Sequence, residues 1–145
     1  MKRRTLLAAA GAGSLLLVRP ALATPEAMRR ALAEFAGGAV LREGRVQLEI
    51  AALVENGNTV PVTLRMASPM TAADHVRRLA LFTERNPDPG VAVFHLGPRN
   101  GRAEVATRMR LATSQTVVAA ALTSDGTCWT TSVDVLVTLA ACVEP

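Results

Sequence analysis

The sequence predicts an all-β fold, an antiparallel β-sandwich with a short N-terminal helix. Three observations carry that prediction. Apolar residues alternate with polar ones at period two, as in Val46, Leu48 and Ile50, then Val60, Val62, Leu64 and Met66. Turn-forming clusters recur roughly every ten residues and divide the chain into about seven short strands. Aromatics are scarce, with three phenylalanines, one tryptophan and no tyrosine, so the core must be mostly Val, Leu and Ala.

The elements follow in order. Thr24-Pro25-Glu26 reads as a helix start, with Thr as cap and Pro in the first turn. Met28, Leu32 and Phe35 follow at helical spacing, and Gly37-Gly38 stops the helix. The period then changes to two across Val46–Ile50, and Glu55-Asn56-Gly57-Asn58 marks a turn. Val60–Met66 alternates again until Ser68-Pro69 breaks it. Residues 76–83 fit either helix or strand, and the flanking turn signals, including Asn86-Pro87-Asp88-Pro89-Gly90, favour strand. Val91–Leu96 is a short apolar strand, and Gly97-Pro98-Arg99-Asn100-Gly101 a hairpin-type turn. Ala103–Leu111 alternates. Thr116–Leu122 is continuously apolar, as expected of a strand buried on both faces. After Ser124-Asp125-Gly126 the last strand puts Trp129, Thr131, Val133, Val135, Val137 and Leu139 on one face.

Residues 1–23 read as an export signal. Lys2, Arg3 and Arg4 form its basic start, Leu6–Val18 its apolar stretch and Ala21-Leu22-Ala23 a small-x-small cleavage site. The Arg3-Arg4 pair before Thr5-Leu6-Leu7 points to the twin-arginine route; an ordinary secretory signal and an uncleaved anchor are the alternatives. The location expected is the periplasm. The domains expected are the signal at 1–23, one sandwich at 24–139 and a C-terminal arm at 140–145.

The formal charge is +4, and Lys2, Arg3, Arg4 and Arg19 account for all of it. From Thr24 onward 12 arginines face 12 acids. That balance, with so few aromatic faces for stacking, gives no support for nucleic-acid or membrane binding. No lysine follows residue 23, which excludes Schiff-base and P-loop lysine chemistry from that part of the chain.

No catalytic constellation is visible. His75 and His95 are the only histidines, twenty residues apart and without a Cys-x-x-Cys companion, so no metal site is expected. Asp74 beside His75 lacks a nucleophile elbow to complete a triad. Arg77-Arg78 reads as a solvated strand edge, or else as an anion contact or docking charge. Cys128, at the start of the last strand on the face opposite the core-type residues, reads as a packing residue that a partner protein could cover in place of this domain. No cofactor is expected.

Cys142 is different. Only Val143 beyond it is apolar, and a chain end is poorly held unless something ties it down. Fourteen extended residues from Cys128 to Cys142 span roughly 46 Å, whereas bridged Cα atoms lie within about 7 Å. The two thiols are therefore expected to have separate roles. Cys142 could bridge to another chain, hold a lipid, or carry a covalent group; a mobile tail fits the carrier best. Glu144 disfavours its thiolate, which argues for a thiol served by client enzymes and against an autonomous thiol enzyme.

The stretches VENGNTVPV at 54–62, SPMTAADHV at 68–76, LFTERNPDPGVAVFHLGPRNGRAEVATRMRLATSQTVVA at 81–119 and DVLVTLAAC at 134–142 resemble the SoxY family of sulfur carriers. The resemblance implies an immunoglobulin-like sandwich, twin-arginine export and a heterodimer with SoxZ. It implies that Cys142 is the covalent carrier and that the chain is not itself an enzyme. Thiosulfate would be attached to that thiol by a haem-containing enzyme. A thiosulfohydrolase would release sulfate, and a sulfur dehydrogenase would oxidise the remaining sulfur. One departure stands out. The best-known family members end in Gly-Gly-Cys-Gly-Gly, and this chain ends Ala140-Ala141-Cys142-Val143-Glu144-Pro145, a stiffer and bulkier tail. The alternative function is an exported adaptor that carries nothing, its tail cysteine forming only an intermolecular disulfide, with homodimers through Cys142 one outcome.

Overall fold

The computed structural model describes residues 23–141. The expected export signal, apart from Ala23, and Cys142 with the residues after it lie outside the described residues.

Helix α1 (Pro25–Ala36) begins and ends where the sequence places it. Thr24 Oγ1 accepts the Ala27 N–H at 3.1 Å, and Pro25 loses nothing in a first turn whose N–H has no intrahelical partner. Gly37 closes the helix at φ 58°, a left-handed conformation that suits glycine, and its N–H donates to the Ala33 carbonyl.

Among the described residues nine strands follow: β1 (Val40–Glu43), β2 (Val46–Glu49), β3 (Leu53–Asn56), β4 (Val60–Met66), β5 (Val76–Thr83), β6 (Gly90–His95), β7 (Ala103–Met109), β8 (Gln115–Thr123) and β9 (Thr127–Leu139). The larger sheet runs β1-β9-β8-β5-β6, and β3 joins the later half of β9. The smaller sheet runs β2-β4-β7. The two sheets enclose a core of Val60, Val62, Leu64, Val76, Leu79, Leu81, Leu111, Val117 and Val135, among others.

The strand β8 explains why a third layer exists. Its Val117, Ala119 and Ala121 face the inter-sheet core, while Val118, Ala120 and Leu122 face outward. Helix α1 covers that outer face with Met28, Phe35 and Ala36. Phe35 meets Phe82 edge-on, ring centroids 5.7 Å apart. The continuous apolar run is thus buried on both sides, as expected of such a pattern.

Three features depart from the expectations. The sandwich is antiparallel except where β1 and β3 pair parallel with β9. Each of those strands has four residues, too few to show a period, and each is recruited by the free edge of the 13-residue β9. Arg77-Arg78 is not at an edge: β5 lies between β8 and β6. Finally, Cys128 is covered by α1 of its own domain, so no partner protein is needed to cover it.

Candidate functional site

The site begins where β9 ends, because Cys142 follows directly on the last described residue. Each residue at the end of β9 is tied on one side or the other. The Val137 N–H donates to Ser114 Oγ at 2.8 Å, and Thr138 Oγ1 donates to the Glu55 carbonyl at 3.1 Å. Three backbone hydrogen bonds then form a clasp. The Gly57 N–H donates to the Leu139 carbonyl at 2.8 Å, the Leu111 N–H to the Gly57 carbonyl at 2.8 Å, and the Ala141 N–H to the Leu111 carbonyl at 3.1 Å.

The clasp is possible because residue 57 has no side chain. A Cβ there would sit 2.4 Å from the Leu111 oxygen, 3.0 Å from the Ala141 nitrogen and 3.1 Å from Val137 Cγ1. The Asn-Gly turn legible in the sequence therefore has a second task, to let three chain segments meet at the root of the tail. Leu111 is fully buried, so the clasp is fixed to the inter-sheet core. Ala140 is exposed and Ala141 buried. Around this root, Leu53, Leu136 and Leu139 are more than half exposed, an apolar surface beside the start of the tail.

Cys128 has the opposite character. It is fully buried against Leu122 and the helix layer, and burial pushes its thiol up to about 11, against a weaker opposing pull from the Arg78 guanidinium. A thiol held neutral and sealed from solvent is not a nucleophile. Cys128 and Ala141 stand at opposite ends of a continuous extended run, roughly 40 Å apart.

The remaining candidates sort themselves by contacts. Asp74 engages Thr71 through its backbone N–H and carbonyl, and His75 Nδ1 lies 3.0 Å from the Thr71 carbonyl, so the pair forms a turn and not a dyad. Among the described residues no three His, Cys, Asp or Glu side chains are grouped to hold a metal ion. No described helix is long and apolar enough to cross a membrane. His75 and His95 both line one recess, together with Arg77 and Arg78, which sequence spacing gave no sign of.

The family model for the sulfur oxidation protein SoxY matches residues 32–142. Among solved structures, the sulfur carrier protein SoxY from Chlorobium limicola f. thiosulfatophilum is 28% identical at a TM-score of 0.67, covering 80% of this chain and 100% of that one. A superoxide reductase (neelaredoxin) from Ignicoccus hospitalis shares the fold at 18% identity and a TM-score of 0.58, covering 79% of this chain and 92% of that one. A putative superoxide reductase from Thermotoga maritima does so at 20% identity and 0.55, covering 71% and 89%. No curated protein matches the sequence. The family match takes in the helix layer from Leu32, both sheets, the clasp and the cysteine that follows it, and on that evidence the chain belongs to the SoxY family of sulfur oxidation proteins.

Proposed function

We propose that this protein is a covalent sulfur carrier in thiosulfate oxidation, with Cys142 as the carrying thiol and SoxZ as its heterodimer partner in the periplasm. The observation that carries the reading is the clasp: the body grips the chain through Ala141, and the family match runs one residue further, to Cys142. A tether of this kind fixes the origin of the arm and leaves the thiol to be offered to other proteins' active sites.

The chemistry balances as follows. The Cys142 thiol and thiosulfate form a disulfide-type S–S bond, giving a cysteine S-thiosulfonate. One proton leaves the thiol, and two electrons pass to a haem-containing partner. Water then attacks the terminal sulfone group on a hydrolase, releasing sulfate and two protons and leaving a persulfide anion on Cys142. The chain itself supplies attachment and presentation; its partners supply the redox and hydrolytic groups. Leu53, Leu136 and Leu139 beside the arm root provide apolar surface for such partners.

Replacing Cys142 with Ser tests the proposal in cells that oxidise thiosulfate. Loss of oxidation in Cys142→Ser, with retention in Cys128→Ala, is expected. Undiminished oxidation in Cys142→Ser would favour the adaptor reading instead.

A further inference from the structure

The pairing of β5 with β8 slips by one residue between Val76 and Arg78: Val76 opposes Thr123, and Arg78 opposes Leu122. Arg77 is the extra residue of a β-bulge. Bulges re-aim side chains that a regular strand would send to opposite faces. Here two consecutive arginines line one recess instead of flanking a sheet. Arg78 also opposes His95 on β6, which places those two side chains on the same face.

The result is an open recess of about 390 Å³ lined by His75, Arg77, Arg78, His95 and Leu96. Four of the five residues are basic, and no carboxylate lines it. The chain as a whole is balanced from Thr24 onward, so this concentration of arginine and histidine side chains is local.

Two of the groups are also pre-positioned. Arg78 Nη2 donates to the Phe35 carbonyl at 2.9 Å, and the guanidinium lies 4.8 Å from the Phe35 ring centroid. His75 is held by its backbone N–H, which donates to Ser124 Oγ at 3.1 Å, and by its ring Nδ1, 3.0 Å from the Thr71 carbonyl. Groups held this way lose less entropy when an anion arrives. Arg77 and His95 are exposed and complete the set.

We propose that this recess is a binding site for a small divalent sulfur oxyanion, of the sulfate and thiosulfate class. The guanidinium groups of Arg77 and Arg78 on β5 and the His95 ring on β6 share one recess, and a tetrahedral anion offers an acceptor oxygen to each of them. The choice of sulfur oxyanions rests on the family; the recess itself does not. The site lies at the Cys128 end of the sheet, remote from the Ala141 clasp, so it is separate from the carrying thiol.

Calorimetric titration of the full chain with sodium sulfate and sodium thiosulfate, at ionic strength matched with sodium chloride, tests this. Saturable sulfate binding beyond the chloride control is expected. Arg77→Gln should weaken it about tenfold, the loss of one charge-assisted contact, and His95→Gln should weaken it as well, the loss of one ring N–H contact. Arg108→Gln, an exposed change on β7, should leave it unaltered, and so should Cys142→Ser, which separates this proposal from the carrier reading. Equal binding by all variants, no saturation above chloride, or saturation by an acidic peptide but not by sulfate would each overturn it.

Discussion

Placing alanine at position 57 would drive a methyl carbon to 2.4 Å from the Leu111 oxygen and 3.0 Å from the Ala141 nitrogen. Both are backbone atoms, so no flexible side chain can swing aside. Relief requires a backbone shift of about 1 Å to reach ordinary carbon–oxygen contact, a case of overpacking that costs about 1–3 kcal/mol. The same shift stretches the Leu111-to-Gly57 and Ala141-to-Leu111 hydrogen bonds, each contributing about 1 kcal/mol. Alanine restricts the unfolded chain and returns about 0.4–1 kcal/mol. With both hydrogen bonds lost the balance is a destabilisation of about 2–5 kcal/mol, concentrated at the root of the tail. Urea unfolding should show the lowered midpoint, and hydrogen exchange should show faster exchange at Leu111 and Ala141 than in the wild type. Gly57→Ala with unchanged stability and unchanged protection at Ala141 would refute the clasp.

Other expectations follow from the helix layer. Phe35→Ala removes the edge-on contact with Phe82, the Arg78 cation–π contact and part of the cover over Cys128. It should cost about 3–5 kcal/mol and let thiol reagents reach Cys128, as seen by chemical denaturation and labelling kinetics. Thr24→Ala removes the cap on α1 and should cost about 1 kcal/mol in the same denaturation assay. Burial pushes the Cys128 thiol up to about 11 from its ordinary 9.0, so above pH 9 the unfolded chain gives up its proton before the folded one does. Stability should therefore fall as pH rises from 9 toward 11, by at most about 1.4 kcal/mol per pH unit from this group. Cys128→Ala should lack that contribution, which paired pH–stability curves would reveal.

Much of the fold is legible from local pattern because the long strands carry their own signatures. Val60–Met66 shows the period of a half-buried strand, and Thr116–Leu122 the unbroken run of one covered on both sides. Trp129, Val133, Val135 and Val137 do share the face packed on the inter-sheet core. What escapes local reading depends on distant neighbours. Val40–Glu43 and Leu53–Asn56 become strands only because β9 offers them an edge. The cover over Cys128 comes from a helix about a hundred residues earlier in the chain. The site divides the same way. The cysteine near the family's carrier position can be read from sequence, and so can the Asn-Gly turn. That the turn holds Leu111 and Ala141 together depends on atoms more than thirty residues away, and the placing of Arg77 beside Arg78 in one recess depends on a one-residue slip in pairing.

The central claim is that cargo resides on Cys142 and not on Cys128. Intact-mass and peptide mass spectrometry of the protein isolated from cells growing on thiosulfate tests it most directly. Thiosulfonate or persulfide adducts on the peptide containing Cys142, with Cys128 unmodified, are predicted. An unmodified Cys142 throughout growth on thiosulfate, or adducts confined to Cys128, would contradict it.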